Sequence, residues 1–540
     1  MDEKGEVLLP TGDWDADGRP VARARLTALK DQREKVVEAD TDAVIPVIFV
    51  PGIMGTNLKS TITGDPVWRP PNTDGVGAIL GALGQMVVFL FRGAATRQRL
   101  LNPLTSEVDE RGSLDAEGTI PEALARERGW GSLMRSAYNP VMAEMHRKLN
   151  DLMSAGKLQP WWSGDGVRAP AEYGEQNGMS AALTPEQCKK AAHYRFEVWS
   201  GGYNWLQSNR LSARDMIARI DQVILPYYAK RGVRAKKVVL VTHSMGGLVS
   251  RAISRLENYG NLLGISHGVM PATGAAATYH HCRAGYTGVS SIILGRNAGE
   301  VIAILAQAPG GLELLPAADY NQGKPWLQLG DNGARIPFNG DPYKEIYLNT
   351  KWYGLVPEGN TELLDPSAPT AEAASAREEE DGPTLSARTS FQINIEGVQF
   401  FHKDISRKYH APSYVHYGDD AKQLSWGELH WSGGSMMSAD GMETVSDNRN
   451  GKVKLKGPGG QIKLEIADPA DPGDGTVPAC SGAAPKIDVL ACFRQGSLGT
   501  GEYAKKGKKG YDHQGSYNDE RTRWATLYAA VRLAQGADWA

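Results

Sequence analysis

Val239-Leu-Val-Thr-His-Ser-Met-Gly-Gly247 decides how this chain is read. An apolar, β-branched run reads as a buried strand, His-Ser-Met as a sharp turn, and the paired glycines as the start of a helix passing close to that strand. Such a turn holds a serine in a tight conformation with its Oγ exposed above a sheet. The helix behind it aims its N-terminal N–H groups and positive dipole end at the same place. Ser244 is therefore the candidate nucleophile. The common pattern is Gly-x-Ser-x-Gly, and here Thr242 stands in the first glycine's place, a position that asks for a small side chain.

Working outward, Ile45–Val50 is a second short apolar run, ended by Pro51-Gly52. Lys237–Thr242 leads into the serine turn and follows a predicted helix over Leu211–Lys230, where Met216, Ile217, Ile220, Val223 and Ile224 fall at helical spacing. Ile265–Met270 reads as a third strand and Val289–Leu294 as a fourth. Strands alternating with helices predict a mostly parallel sheet covered on both faces.

The predicted organisation is an arm over 1–42, core over 43–58, a first insertion over 59–190, core with the serine turn over 191–295, a second insertion over 296–470, and core again over 471–540. Within the second insertion, the Ala/Glu/Pro-rich run 360–384 reads as a solvated loop. Gln392–Phe400 and Lys452–Ile466 read as hairpin strands.

A serine nucleophile needs a base, the base needs an acid, and acyl transfer needs two N–H groups aimed at the developing oxyanion. Met245, directly after the serine, is expected to supply one N–H. Val50-Pro-Gly-Ile-Met-Gly-Thr-Asn-Leu58 is expected to supply the other from Ile53, with Met54 as the near alternative. The acid is expected in Ala467-Asp-Pro-Ala-Asp-Pro-Gly-Asp-Gly-Thr-Val-Pro478, with Asp474 preferred over Asp468 and Asp471. A calcium-loop reading of that segment lacks the spaced ligands and terminal glutamate of an EF-hand. His513 is the one histidine downstream of Asp474, which makes it the expected base. His416 is held in reserve, and His243, His280, His281 and His430 read as packing or surface residues, the His243 side chain pointing away along the turn.

The chain has 540 residues, 41% hydrophobic and 22% charged, and a formal net charge of −3. That charge supplies no broad basic field for nucleic acid or for holding an anionic membrane by electrostatics alone. The start, Met-Asp-Glu-Lys-Gly-Glu, lacks the basic and apolar regions of a secretory signal. Gly75–Phe91 is uncharged and apolar but interrupted by glycines and shorter than a comfortable bilayer span, and reads as a lid helix or a buried one. Cys188, Cys282, Cys480 and Cys492 are too few and scattered for a disulfide scaffold or zinc site, so reduced thiols and no metal are expected.

Pro46–Leu58, Thr242–Leu248 and Gly473–Pro478 together resemble the lecithin–cholesterol acyltransferase and lysosomal phospholipase group, and also GPI inositol-deacylase-type hydrolases. Gly268-Val-Met-Pro-Ala-Thr-Gly-Ala-Ala-Ala-Thr278, with the two large insertions, is more similar to bacterial type VI secretion lipase effectors of the fourth class. The resemblance implies an α/β-hydrolase fold and a serine-dependent phospholipase with Ser244, Asp474 and His513 as its triad. It places the oxyanion N–H groups on Ile53 and Met245 and calls for no cofactor, calcium not being indicated. It also implies a membrane phospholipid substrate, a cognate immunity protein and a secretion-apparatus component as partners, and delivery from the bacterial cytoplasm into the periplasm of a target cell. A carboxylesterase for other esters, or a non-catalytic binding module on the same scaffold, are the alternatives.

Overall fold

The computed structural model describes residues 41–70, 93–154, 156–178, 180–286, 295–368, 385–436, 438–496 and 510–540, together with a short ribbon of Asp13–Trp14 and Pro20–Val21. The Gly75–Phe91 segment, the proposed strand Val289–Leu294, most of the 1–42 arm and the stretch 369–384 lie outside the described residues.

Six parallel strands form the central sheet: β1 (Val44–Val50), β2 (Arg195–Ser200), β3 (Val238–His243), β4 (Leu262–Gly268), β5 (Ser413–Gly418) and β6 (Ala491–Gln495). Their order across the sheet is β6-β5-β4-β3-β1-β2. Every residue of β1, β3, β4 and β5 is buried. Such strands appear in sequence as unbroken apolar runs because helices cover both faces.

Side chains still alternate between two cores. Ile45, Val47, Phe49, Val239 and Val241 face helices α1 (Arg135–Leu149) and α7 (Glu520–Ala534). Val44, Ile48, Val50, Val238 and Leu240 face α2 (Asn209–Arg219) and α3 (Gly246–Arg255). The helix predicted over Leu211–Lys230 runs from α2 through one π turn, Ile220–Ile224, into Leu225–Ala229. Met216, Ile220 and Ile224 point inward while Val223 is exposed.

The stretch 296–470 departs from expectation in two ways. It contributes β5 to the central sheet, so the core reaches into what was read as one insertion. Ser413-Tyr-Val-His-Tyr-Gly418 carries tyrosine and histidine where β1 and β3 are mostly aliphatic, which hid it in the sequence. Gln392–Phe400 is not a strand but the middle of α6 (Ala387–Ile405). Phe391, Ile395, Val398, Phe401 and Ile405 are its buried stripe, at steps of three and four. Ile393 and Phe400 are exposed, and it was these two that gave the segment its alternating look.

The rest of the stretch builds a second six-stranded sheet. Its order is Arg335–Ile336, Leu327–Leu329, Leu429–Ser432, Gly460–Ile466, Lys452–Gly457, Glu443–Asp447. The hairpin read in Lys452–Ile466 is present, with Gly457 opposite Gly460. This sheet has its own apolar core, including Trp326, Trp352, Trp431 and Leu455, shared with α4 (Ala276–Ala284), α5 (Ala298–Leu305) and α6. Among the described residues no helix is long and apolar enough to cross a membrane. All four cysteines are free thiols, Cys480 exposed and the other three buried.

Candidate active site

Ser244 sits between the end of β3 and the start of α3, with φ of 52°, in the left-handed region that a non-glycine residue adopts only under constraint. Its N–H donates to the Gly268 carbonyl at the end of β4, at 2.8 Å, and its carbonyl accepts the Gly247 N–H at 2.9 Å. The glycines after it are required by proximity. A Cβ on Gly246 would lie 2.4 Å from the Val50 carbonyl oxygen, and one on Gly247 would lie 2.6 Å from the Met270 side chain. Thr242 is fully buried within β3 and its carbonyl accepts from the Tyr517 hydroxyl at 2.8 Å, so the departure from glycine is absorbed inside the strand.

Three residues from distant parts of the chain meet here. His513 Nε2 is 2.8 Å from Ser244 Oγ, and His513 Nδ1 is 2.8 Å from Asp474 Oδ2. Asp474 is 1% exposed. Its other carboxylate oxygen accepts the N–H groups of Val477 at 2.7 Å and Thr476 at 3.0 Å, and its carbonyl accepts the His513 N–H at 2.8 Å. A carboxylate acceptor at Nδ1 puts the ring proton there and leaves the Nε2 lone pair facing the serine hydroxyl. The His513 side chain is 13% exposed, so it opens toward solvent while its acid does not.

The rival acids are engaged elsewhere or remote. Asp471 accepts the Gly427 and Glu428 N–H groups at 3.0 and 3.1 Å, and Asp468 lies near His280. His416 is buried with Nδ1 3.2 Å from the Tyr511 hydroxyl, and burial pushes it down to about 3, which makes it a poor proton acceptor at neutral pH. His280 stacks on Trp426 and His281 on Tyr286, and His430 faces Asp331.

The loop after β1 makes a tight turn in which the Gly55 N–H donates to the Gly52 carbonyl at 3.1 Å. The Gly52 N–H is directed to the Tyr138 hydroxyl at 3.4 Å. Met54 has φ of 64°, and its carbonyl accepts the Trp68 indole N–H at 2.8 Å. Among the described residues neither the Ile53 nor the Met245 N–H is taken by a backbone carbonyl.

His243 was misread. It is 2% exposed and turned into the site, with Nε2 2.9 Å from the His513 carbonyl oxygen and Nδ1 3.1 Å from the Tyr138 hydroxyl. Its partners lie 270 and 105 residues away, so no local pattern announces them.

A parallel sheet with helices on both faces, a strained serine after a central strand and a Ser–His–Asp hydrogen-bonded line define an α/β hydrolase of the esterase and lipase class. The comparisons with known proteins agree. A family model described as the PGAP1-like alpha/beta domain matches residues 206–264, the segment from α2 through the serine turn into β4. The crystal structure of a Tle4–Tli4 complex is 42% identical, with a TM-score of 0.82, over 93% of this chain and 100% of that one. The chain belongs to the Tle4 family, the fourth class of type VI secretion lipase effectors that its motifs resemble. No curated protein sequence matches it.

Proposed function

We propose that the protein is a serine-dependent phospholipase that cleaves acyl ester bonds of membrane phospholipids. The observation that carries this reading is the unbroken line from Asp474 through His513 to Ser244, with both hydrogen bonds at 2.8 Å, inside a member of the Tle4 family.

His513 takes the Ser244 proton as Oγ attacks the acyl carbonyl, and the Ile53 and Met245 N–H groups receive the negative oxygen. The protonated His513, held by Asp474, then gives its proton to the leaving alcohol. Water repeats the sequence on the acyl-enzyme, releasing fatty acid and restoring the serine. No cofactor or metal has a part in these steps.

The relative in the Tle4–Tli4 complex is held by a partner protein, which supports a cognate immunity protein for this chain as well. Delivery through a secretion-apparatus component into the periplasm of a target cell belongs to the same reading.

Fatty-acid release from mixed phospholipid vesicles, measured beside hydrolysis of a short soluble ester, tests it. Wild-type protein is expected to cut both, and Ser244→Ala neither. Cleavage of the soluble ester alone would keep the triad and remove the lipid substrate. Vesicle hydrolysis that survives Ser244→Ala would overturn the assignment.

A further inference from the structure

We infer that His243 and Tyr138 form a positioning pair that fixes the acid–base loop and the oxyanion loop relative to Ser244. The inference rests on the Ser–His–Asp reading and adds two residues that do not touch substrate.

The hydrogen-bond directions follow from the groups themselves. The His513 carbonyl only accepts, so His243 Nε2 carries the proton in that 2.9 Å contact. Burial, with the neighbouring His513 adding to it, pushes His243 down to about 3, so the ring is neutral and Nδ1 is a bare acceptor. The Tyr138 hydroxyl, 3.1 Å away, must then donate to Nδ1, which leaves its own lone pairs for the Gly52 N–H at 3.4 Å. Tyr138 is buried on α1, and burial pushes its phenol up to about 12, so it keeps its proton. The result is a one-way chain: Gly52 N–H to Tyr138 Oη, Tyr138 O–H to His243 Nδ1, His243 Nε2–H to the His513 carbonyl.

That chain links the loop after β1, helix α1, the serine turn and the loop carrying His513. It completes the restraint on His513, whose N–H is already held by the Asp474 carbonyl and whose two ring nitrogens face Asp474 and Ser244. Without His243 the His513 carbonyl keeps only the longer contact from the Ser516 N–H, at 3.4 Å, a donor on its own loop, and loses its tie to the serine turn.

At the other end, Gly52 has its N–H on Tyr138 and its carbonyl on Gly55. In a trans peptide the N–H of the next residue points opposite to that carbonyl, so this turn sets the direction of the Ile53 N–H. The fit is close: a Cβ on Gly52 would come within 2.8 Å of His243 Nδ1 and 3.0 Å of Ser244 Cβ. Small displacements of catalytic groups cost rate rather than binding, which separates a positioning role from simple filling of the core.

The test compares His243→Phe, which fills the space without a donor, with His243→Gln, whose amide can donate to the same carbonyl. Tyr138→Phe and the Tyr138→Phe/His243→Phe double variant complete the set. Each is assayed on a soluble ester with its melting temperature recorded. Loss of about 10- to 100-fold in kcat at nearly constant KM is expected for His243→Phe, with most of it restored in His243→Gln. A smaller loss is expected for Tyr138→Phe, and the double variant should be no slower than His243→Phe alone.

Wild-type kcat in a folded His243→Phe would overturn the pair, and so would equal impairment of Phe and Gln variants in step with melting temperature. If His243→Phe does not fold, the other two decide: wild-type kcat in Tyr138→Phe, or loss without rescue in His243→Gln, overturns it. Failure of Ser244→Ala to abolish turnover would instead remove the triad reading beneath it.

Discussion

Two buried glutamates, one on the central sheet and one where the 296–470 stretch meets helix α2, hold their charge in different ways. Glu197, on β2, has Arg128 at 2.5 Å, the Tyr228 hydroxyl at 2.8 Å and Arg195 at 3.1 Å. Burial pushes its carboxyl up, but the two guanidinium groups outweigh that and leave it below the usual carboxylate range. Glu313 belongs to the 296–470 stretch and reaches across to the first turn of α2 in the core. It accepts from the Ser208 hydroxyl at 2.7 Å, the Asn209 N–H at 2.8 Å and the Asn209 amide at 2.7 Å. None of those three donors is a cation, and burial raises it to about 7. Glu197 is therefore neutralised by counter-ions, as Glu300 in the 296–470 stretch is by Arg296, while Glu313 at the seam relies on neutral donors and a proton that is partly present at neutral pH. A seam built that way costs more to hold closed as the carboxyl ionises.

The largest effect is expected at the site. Asp474→Asn keeps the fold but presents the wrong partner to His513, and kcat on a soluble ester should fall by about 10⁴-fold. Activity within a factor of a few of wild type would remove Asp474 from the triad. Next, Glu197→Gln leaves Arg128 buried without its counter-charge, and denaturant unfolding should show a loss of about 3–5 kcal/mol. A loss below about 1 kcal/mol would place the core pair alongside ordinary surface ion pairs and break the contrast.

Glu313→Gln tests the other side. The unfolded carboxyl titrates near 4.5 and the folded one at about 7, so the folded state holds more protons between those values and wild-type stability falls as pH rises through them. Glu313→Gln mimics the protonated form, with its amide donating to Ser208. The variant's advantage over wild type should be absent at pH 4 and grow to on the order of 3 kcal/mol by pH 8. Parallel pH profiles for the two proteins would show that the seam carboxyl is solvated after all. The smallest change is Ser386→Ala, which removes the side-chain cap from the Thr389 N–H at the start of α6. About 1 kcal/mol should be lost in a thermal melt, with no change in ester turnover.

Three of the six central strands, β1, β3 and β4, were legible because their signals are local, whereas β2, β5 and β6 mix aromatic and polar residues and were not. Apolar runs mark parallel strands buried on both faces, and the paired glycines after Ser244 mark where helix and strand must touch. Chain order then leaves one histidine after Asp474. The insertion was less so. Its sheet sets Leu327–Leu329 beside Leu429–Ser432, a hundred residues away, and no local pattern specifies that neighbour. In α6, Ile393 and Phe400 on the exposed face imitated a period of two while the buried stripe kept the helical period. Ser244, Asp474 and His513, picked out by motif and chain order, do meet in the structure, whereas the contacts of His243 with Tyr138 and the His513 carbonyl left no local signal, because a histidine beside a serine looks the same in sequence whichever way it faces.

The central claim is that Ser244 is the group acylated during turnover. Intact-mass measurement and peptide mapping after reaction with a fluorophosphonate test it most directly, since that reagent is captured by an activated serine and its oxyanion site. The account predicts a single adduct on Ser244, abolished in Ser244→Ala and strongly slowed in His513→Ala. An adduct on a different residue, or undiminished ester hydrolysis in a protein that takes up none, would contradict it.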